Sequence, residues 1–195
     1  LPAVLIDSTD RAGLVPAVVP DEVGGAVAAV SHLVGAGHRR IGFLNNDDDV
    51  TATHERLVGF RQVLTEHCIP IDESLIVQAP SETLPGYALA REVLARPDRP
   101  TALFCYNDRM AMGAYRAATE LGLEIPRDLS IVGFDDLDVA SLLDPPLTTI
   151  RQSPDDLGPE APDATAGDQT RGGHRLLERL PHPTGCSVYY SDAHD

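Results

Sequence analysis

Along the first 150 residues, short apolar runs alternate with longer segments in which apolar positions follow helical spacing. Residues 23–34 carry valines at the spacing of one helical face, and Gly35 and Gly37 then offer the left-handed conformations that end a helix. The next run, residues 41–44, is apolar throughout, which is typical of a strand buried on both faces. With the apolar residues 4–6, these segments predict one βαβ unit.

The same alternation continues to residue 150. The apolar runs predict strands at 4–6, 41–44, 75–77, 102–105, 129–134 and 147–150, and the amphipathic segments predict helices near 23–34, 57–67, 87–94 and 110–121. Strands that are apolar on both faces and joined by helices form parallel sheets covered on both sides. The sequence therefore predicts an α/β fold built on parallel sheet.

The last 45 residues break this alternation. Pro159 and Pro162 interrupt any helix, and residues 161–173 are small and polar with no apolar stripe. One short run, Val188-Tyr189-Tyr190, has the composition of a strand. We expect this part of the chain to be poorly ordered.

Composition and charge exclude several classes of function. Hydrophobic residues make up 43% of the chain and charged residues 23%, which is typical of soluble globular domains. No apolar run approaches the roughly 18 residues that a membrane span needs, so no membrane partner is expected. Fifteen basic residues against thirty acidic ones leave a formal net charge of -15. Such a surface repels the phosphate backbone, and this segment is not expected to bind DNA unaided.

The cysteines and the first residue bear on where the protein works. Cys68, Cys105 and Cys186 form no C-x-x-C pair, so neither a disulfide framework nor a zinc site is predicted. A reducing cytoplasm is the expected compartment. The chain begins at Leu1 inside an apolar run, which indicates part of a longer protein.

Motifs typical of enzymes are missing from the sequence. There is no phosphate-binding P-loop, no G-x-S-x-G turn and no H-E-x-x-H zinc motif. Gly35-Ala36-Gly37 closes a predicted helix instead of opening one, so it is interpreted as a helix end and not as a dinucleotide fingerprint. Asp47-Asp48-Asp49 lacks the spacing of a calcium loop, and the histidines lack metal spacing. We expect no cofactor, no metal and no catalysis.

Short oxygen-bearing side chains follow four of the predicted strands. They are Asp7, then Asn45 and Asn46, then Asn107 and Asp108, and finally Asp135 and Asp136. Ligands of open parallel sheets bind beyond the carboxyl ends of the strands, and Asp and Asn suit the hydroxyl groups of a polyol. The alternative is that each residue caps the following helix, and Asn107 is the clearest candidate for that role.

Five segments together resemble the effector-binding domain of the LacI/GalR family of transcription regulators. They are SHLVGAGHRRIGFL at 31–44, ERLVGFR at 55–61, PTALFCYNDRMAMGA at 100–114, LEIPRDLSIVGFDD at 123–136 and PPLTTIRQ at 145–152. The resemblance covers roughly residues 1–158 and follows the same order as in the family. It is far more specific than any single short motif.

The resemblance implies two Rossmann-like parallel-sheet lobes, of the periplasmic binding protein-like type, that close on a small molecule. On that mapping residues 1–46 form a partial first lobe, 47–148 the second lobe, 149–158 a crossover towards the first lobe, and 159–195 an atypical tail. The DNA-binding helix-turn-helix of the family, and the opening strand and helix of the first lobe, have no counterpart in the chain. The family's ligand-binding positions correspond to Asp7, Arg56, Asn107 and Asp135.

The implied function is that of a sugar or polyol sensor within a regulator that acts as a homodimer and reaches operator DNA through an N-terminal domain outside this chain. Ser81 stands where family members usually carry an aromatic residue that stacks on the ligand, so a flat stacking contact is not expected. Two alternatives remain. One is a secreted solute-binding protein of the same fold, and the other is an enzyme that uses Asp135 or Asp136 as a base.

Overall fold

The computed structural model describes residues 5–6, 14, 17–152, 170–172 and 188–189. Within these residues the strands form two sheets. The smaller sheet has three parallel strands in the order β1-β2-β8. Its strands are β1 (Leu5–Ile6), β2 (Ala17–Pro20) and β8 (Thr170–Gly172).

The larger sheet has six strands in the order β4-β3-β5-β6-β7-β9. The first five in that order are parallel, and β9 pairs antiparallel to β7. This arrangement confirms the predicted parallel α/β fold. The strands are β3 (Ile41–Asn46), β4 (Ile76–Ala79), β5 (Ala102–Cys105), β6 (Ser130–Phe134), β7 (Thr148–Ile150) and β9 (Val188–Tyr189).

Four α-helices cover the larger sheet, two on each face. Helices α1 and α2 share one apolar cluster with the sheet, and α3 and α4 share the other. Two short 3-10 helices lie in the connections, at Glu73–Leu75 and Asp138–Leu142. The α-helices are α1 (Glu22–Gly35), α2 (Thr51–Glu66), α3 (Thr83–Leu94) and α4 (Asp108–Glu120).

Side-chain alternation along the strands divides the core into two layers. In β3, Phe43 packs towards α1 and α2, whereas Leu44 packs towards α3 and α4. Phenylalanines dominate the first layer, where Phe43 stacks on Phe60 of α2 at 5.3 Å and on Phe104 of β5 at 4.7 Å between ring centroids. Phe134 at the end of β6 continues this row. The row ends beneath the site described below.

A glycine allows α1 and α2 to approach closely. A Cβ atom on Gly59 would lie 2.6 Å from the carbonyl oxygen of Val23 and 2.7 Å from the Cβ of Ala26. A larger side chain at this position would push the two helices apart. The close approach brings the first turn of α1 beside the first half of α2, and this positions the site.

The pairing of β3 differs from the predicted boundary between lobes. A boundary at residue 46 places Ile41–Asn46 with the first lobe, but this strand lies between β4 and β5 in the larger sheet. α1 packs in the same layer as β3. A doubly buried apolar strand is compatible with either sheet, and the sequence does not reveal at which crossover the chain changes sheets. The division into lobes is otherwise still a prediction.

Among the strands near the two ends of the chain, the sequence predicts some and misses others. The sequence indicates a strand at 188–190, and the described residues Val188–Tyr189 form β9. Strands β2 and β8 were not predicted, since a short run between prolines and a polar tripeptide carry little strand signal. The other residues of the predicted tail, 159–195, lie outside the described part of the chain.

Candidate functional site

Arg56 lies in the first half of α2 with only 3% of its surface exposed. Its Nε donates a hydrogen bond of 2.7 Å to Oε2 of Glu22, the first residue of α1. A terminal nitrogen of the guanidinium donates to the backbone carbonyl of Tyr106, which follows β5. A buried arginine thus joins two helices to the carboxyl end of the larger sheet, and its charge is compensated within the fold.

Two aromatic rings fix the plane of the Arg56 guanidinium. Its central carbon lies 4.3 Å from the ring centroid of Tyr106 and 3.7 Å from that of Phe134. Contacts of this kind stabilise a cation over the electron-rich ring face. Nη2 lies 3.7 Å from Oδ1 of Asp135. Arg56 is therefore held in one orientation between two carboxylates.

Glu22 and Gln152 belong to the same cluster, and the sequence analysis missed both. Glu22 is only 5% exposed, and its Oε1 lies 3.3 Å from Nε2 of Gln152, just after β7. An acidic residue in the first turn of a helix is normally interpreted as favourable to the helix dipole, and that role hides its burial. The spacing of 34 residues between Glu22 and Arg56 carries no local signal.

These residues line a cleft of about 640 Å³ beside the carboxyl ends of the strands. The opening turn of α2 forms one wall, and the segment before α1 forms another. Of the four predicted ligand residues, the cleft brings together Arg56 and Asp135. Its lining comprises Val19, Pro20, Glu22, Asp49, Val50, Thr51, Ala52, His54, Glu55, Arg56, Tyr106, Asp135 and Gln152.

Asp135 directly follows β6 and has a φ of 100°, a left-handed value that is unusual for a residue other than glycine. Asp136 is also left-handed, with a φ of 51°. The side chain of Asp135 is 36% exposed. Unfavourable backbone conformations of this kind persist where the surrounding structure enforces them, and they are common at binding sites. The turn directs a carboxylate into the cleft.

Asn107 adopts the capping role that the sequence offers as its alternative. It is the N-cap of α4, and its Oδ1 accepts from the backbone nitrogen of Met110 at 2.9 Å. Its Nδ2 donates to the carbonyl oxygen of Ser81 at 3.0 Å. Neither Asn107 nor Ser81 is among the residues that line the cleft. A ligand contact for Asn107 stays a prediction from the resemblance.

Asp7, the remaining predicted ligand residue, lies outside the described residues. Asn45 and Asn46, which the sequence analysis places after a strand, form the end of β3, where they are buried and make local contacts. Nδ2 of Asn45 donates to the carbonyl oxygen of Thr53 at 3.3 Å, and Nδ2 of Asn46 lies 3.4 Å from Oδ2 of Asp48. Both asparagines therefore support the connection into α2 and do not line the cleft.

The described lining of the cleft is acidic. Glu22, Asp49, Glu55 and Asp135 face one arginine, Arg56, and one histidine, His54. His54 lies 2.8 Å from Oδ1 of Asp49. The carboxylates of Glu22 and Asp135 already share the charge of Arg56. The cleft therefore offers negative potential together with hydrogen-bond donors, an environment unfavourable to anions.

Asp108, the first residue of α4, is completely buried behind this site. Burial, together with the weaker effect of the nearby charges of Asp135 and Asp136, raises the pKa of its carboxyl group to about 7, although hydrogen bonds from Thr149 and Leu137 oppose the change. Asp108 therefore titrates near neutral pH.

Other classes of site find no support in the described residues. Over that part of the chain, no group of three or more His, Cys, Asp or Glu side chains is arranged to hold a metal ion. Within residues 17–152, which contain every α-helix that the structure describes, none combines the length and the apolar character needed to cross a membrane.

A family model described as a periplasmic binding protein-like domain matches residues 30–182. The HTH-type transcriptional regulator DegA of Bacillus subtilis is 38% identical over 174 residues, which are 89% of this chain and 51% of that protein. The chain spans about half the length of the curated relatives that it matches.

Solved structures show the same likeness. A regulatory protein of the LacI family from Chloroflexus aggregans has a TM-score of 0.75 and 35% identity, over 78% of this chain and 55% of that one. A LacI family transcriptional regulator from Enterococcus faecium, solved with bound ribose, has a TM-score of 0.68 and 32% identity, over 77% of this chain and 56% of that one.

Proposed function

Because this chain belongs to the LacI family of transcriptional regulators, whose periplasmic binding protein-like domain it matches, we propose that it is the ligand-sensing part of such a regulator. The ligand that we propose is an uncharged sugar or polyol. It binds without any bond being made or broken, so this chain does not act as an enzyme.

The observation that carries this proposal is the fixed Arg56 and Asp135 pair at the wall of the cleft. In parallel α/β folds, ligands bind at the carboxyl ends of the strands. Arg56 is held in one orientation by Glu22, and Asp135 is held by its left-handed turn. A rigid donor beside a rigid acceptor recognises adjacent hydroxyl groups without reorganisation of the protein.

The charge of the cleft supports an uncharged ligand. A hydroxyl group both donates and accepts, so it can use the carboxylates of Asp135 and Glu55 as well as donors such as Gln152 and His54. A phosphate or carboxylate accepts only, and it would face four carboxylates against one arginine. The ribose bound to the similar Enterococcus faecium regulator is a ligand of the proposed class.

The wider function follows from the family and is part of the proposal. Ligand binding favours one arrangement of the two predicted lobes, and a regulator transmits that preference to its DNA-binding part as a coupling free energy. In this proposal operator DNA is contacted by a domain outside this chain, the regulator is a cytoplasmic homodimer, and Asp7 completes the ligand contacts, while a contact from Asn107 stays a prediction of the resemblance.

Calorimetric titration tests the ligand class. We expect the chain to bind ribose or another neutral sugar of a panel more tightly than the matching sugar phosphate. Asp135→Asn is expected to weaken binding about tenfold or more, because hydrogen bonds to a charged group are the stronger ones. Asp138→Asn, an exposed change in the same loop, is the control. Tighter binding of the phosphate, or equal affinity of both variants, would contradict the proposal.

The gene sequence upstream of Leu1 tests the type of protein. A helix-turn-helix segment supports a regulator, and a secretory signal peptide supports the solute-binding alternative.

A further inference from the structure

The turn that carries Asp135 is held by three successive backbone amides. The amide of Asp135 donates to the carbonyl oxygen of Ile150 at 2.8 Å, and the amide of Asp136 lies 3.3 Å from Oγ1 of Thr149. The amide of Leu137 donates to Oδ2 of Asp108 at 2.7 Å. The first two of these partners lie in β7, and the third is the first residue of α4.

Asp108 controls two of these three contacts. Its Oδ2 accepts directly from Leu137, while its Oδ1 accepts from the hydroxyl of Thr149 at 2.6 Å. Since that hydroxyl proton points to Asp108, the Thr149 oxygen has its lone pairs free to accept from Asp136. Both carboxylate oxygens of a fully buried residue are thus used on the turn that follows β6.

Space for this carboxylate exists because residue 133 is glycine. A Cβ atom on Gly133 would lie 2.2 Å from Oδ1 of Asp108. Asp108 therefore sits directly against β6 at Gly133, two residues before the left-handed pair at Asp135 and Asp136 begins. Left-handed conformations need such support, because an isolated chain does not favour them in residues other than glycine.

We propose that Asp108 is a positioning residue for the binding site: its buried carboxylate holds the turn at residues 135–137 and so keeps Asp135 beside Arg56 in the cleft. Asp108 is not among the residues that line the cleft, so it acts through the turn and does not touch the ligand. The inference rests on the proposed function only where ligand affinity is concerned. The competing explanation is that Asp108 only stabilises the helix dipole of α4, a role that requires no contact with the turn.

Site-resolved hydrogen exchange on the 195-residue chain tests this role. Asp108→Asn keeps the shape of the side chain but removes its charge and one acceptor. At a pH above 7, where Asp108 is ionised, we expect the amides of Asp136 and Leu137 to lose protection by about tenfold or more, because charge-assisted hydrogen bonds are lost. Amides in the middle of α2 are expected to keep their protection. Asp138→Asn, which is exposed, is the matched control.

Thr149 provides a second test that leaves Asp108 intact. Thr149→Val removes the hydroxyl and is expected to expose the amide of Asp136 more than that of Leu137, which keeps its bond to Asp108. Thr149→Ser restores the hydroxyl and is expected to restore the protection. A merely structural role of Thr149 in β7 predicts no such difference between two neighbouring amides.

The outcomes separate this inference from the proposed function. Loss of protection in both variants supports the positioning role, even if no sugar of the panel binds, in which case the sugar proposal fails alone. Unchanged protection at residues 136 and 137 in Asp108→Asn overturns the positioning role. So does lost protection with unchanged affinity for a sugar that the parent binds, because the turn then does not govern Asp135.

Discussion

At the amino edge of the larger sheet, His38 joins the starts of three strands, with Nδ1 2.9 Å from Oγ1 of Thr101 and Nε2 2.9 Å from Oγ of Ser130. At the carboxyl edge, Arg56 and Asp108 play the corresponding part with ionisable side chains. Neutral partners satisfy one another at the amino edge. The carboxyl edge instead buries ionisable groups next to the cleft in which we propose that a ligand binds, so similar cross-links accompany a proposed binding site at one edge only.

Arg56→Met breaks the carboxyl edge most severely. Glu22 then stays buried without its cation, and we expect the free energy of unfolding to fall by about 3–5 kcal/mol. Urea denaturation measures the change. Arg61→Met, which removes an exposed pair with Glu73, is expected to cost about 1 kcal/mol or less. Equal losses of unfolding free energy in the two variants would show that the buried pair of Arg56 contributes no more to stability than the exposed pair of Arg61.

Asp108 makes the carboxyl edge sensitive to pH. Its folded pKa, about 7, lies above the ordinary value of 3.8, so the folded protein holds a proton that the unfolded chain releases. Stability from this group falls as the pH rises from about 4 to about 7, by on the order of a few kcal/mol. The same scan on Asp108→Asn is expected to lack this component. If the unfolding free energies of parent and variant changed with pH in the same way, this contribution of Asp108 would be excluded.

His38 makes the amino edge respond in the opposite sense. Burial lowers its pKa from the ordinary value of 6.5, so the unfolded chain binds a proton more readily, and stability is lost as the pH falls below that value. His38→Ala is expected to lower the unfolding free energy at pH 7.5 by about 1–3 kcal/mol through two lost hydrogen bonds. The exposed His54, changed to Ala, is the stability control. Weaker sugar binding by His38→Ala would contradict the expectation that only the carboxyl edge affects ligand binding.

Substitutions of Asn107 are expected to have the smallest effect, and they test whether Asn107 only caps α4 or also contacts the ligand. Asn107→Ala removes the cap of α4 and is expected to lower stability by about 1 kcal/mol. Asn107→Ser keeps a capping oxygen, so we expect parent-like stability and a sugar affinity within about twofold of the parent. A tenfold loss of affinity in this variant would instead support the ligand contact that the resemblance implies.

Local signals account for the parts of the fold that the sequence predicted. The strands predicted at 41–44, 102–105 and 129–134 follow from apolar runs between turn residues and correspond to β3, β5 and β6. Helices α1 and α4 follow from helical spacing, with Asn107 as the predicted cap of α4. Arg56 and Asp135 were reached through a family resemblance and, for Asp135, through its place after a strand. These signals lie within a few neighbouring residues.

Long-range contacts account for what was missed. Glu22 and Gln152 meet 130 residues apart in the chain, and Asp108 meets Thr149 across 41 residues. In the sequence, each of these residues has an ordinary explanation as a helix-terminal or loop residue. The membership of β3 in the larger sheet was missed for the same reason, because the sheet to which a strand belongs is decided by its pairing and not by its composition.

By itself, the sequence determined the order of the helices and of the strands apart from β2 and β8, the parallel sheet and the family, because periodicity, caps and motifs act over short distances. The tertiary structure alone decided which carboxylates surround Arg56, how Asp108 supports the turn at Asp135, and which sheet receives β3. Burial and pairing depend on what packs on the other side of a residue, and no local pattern specifies that partner.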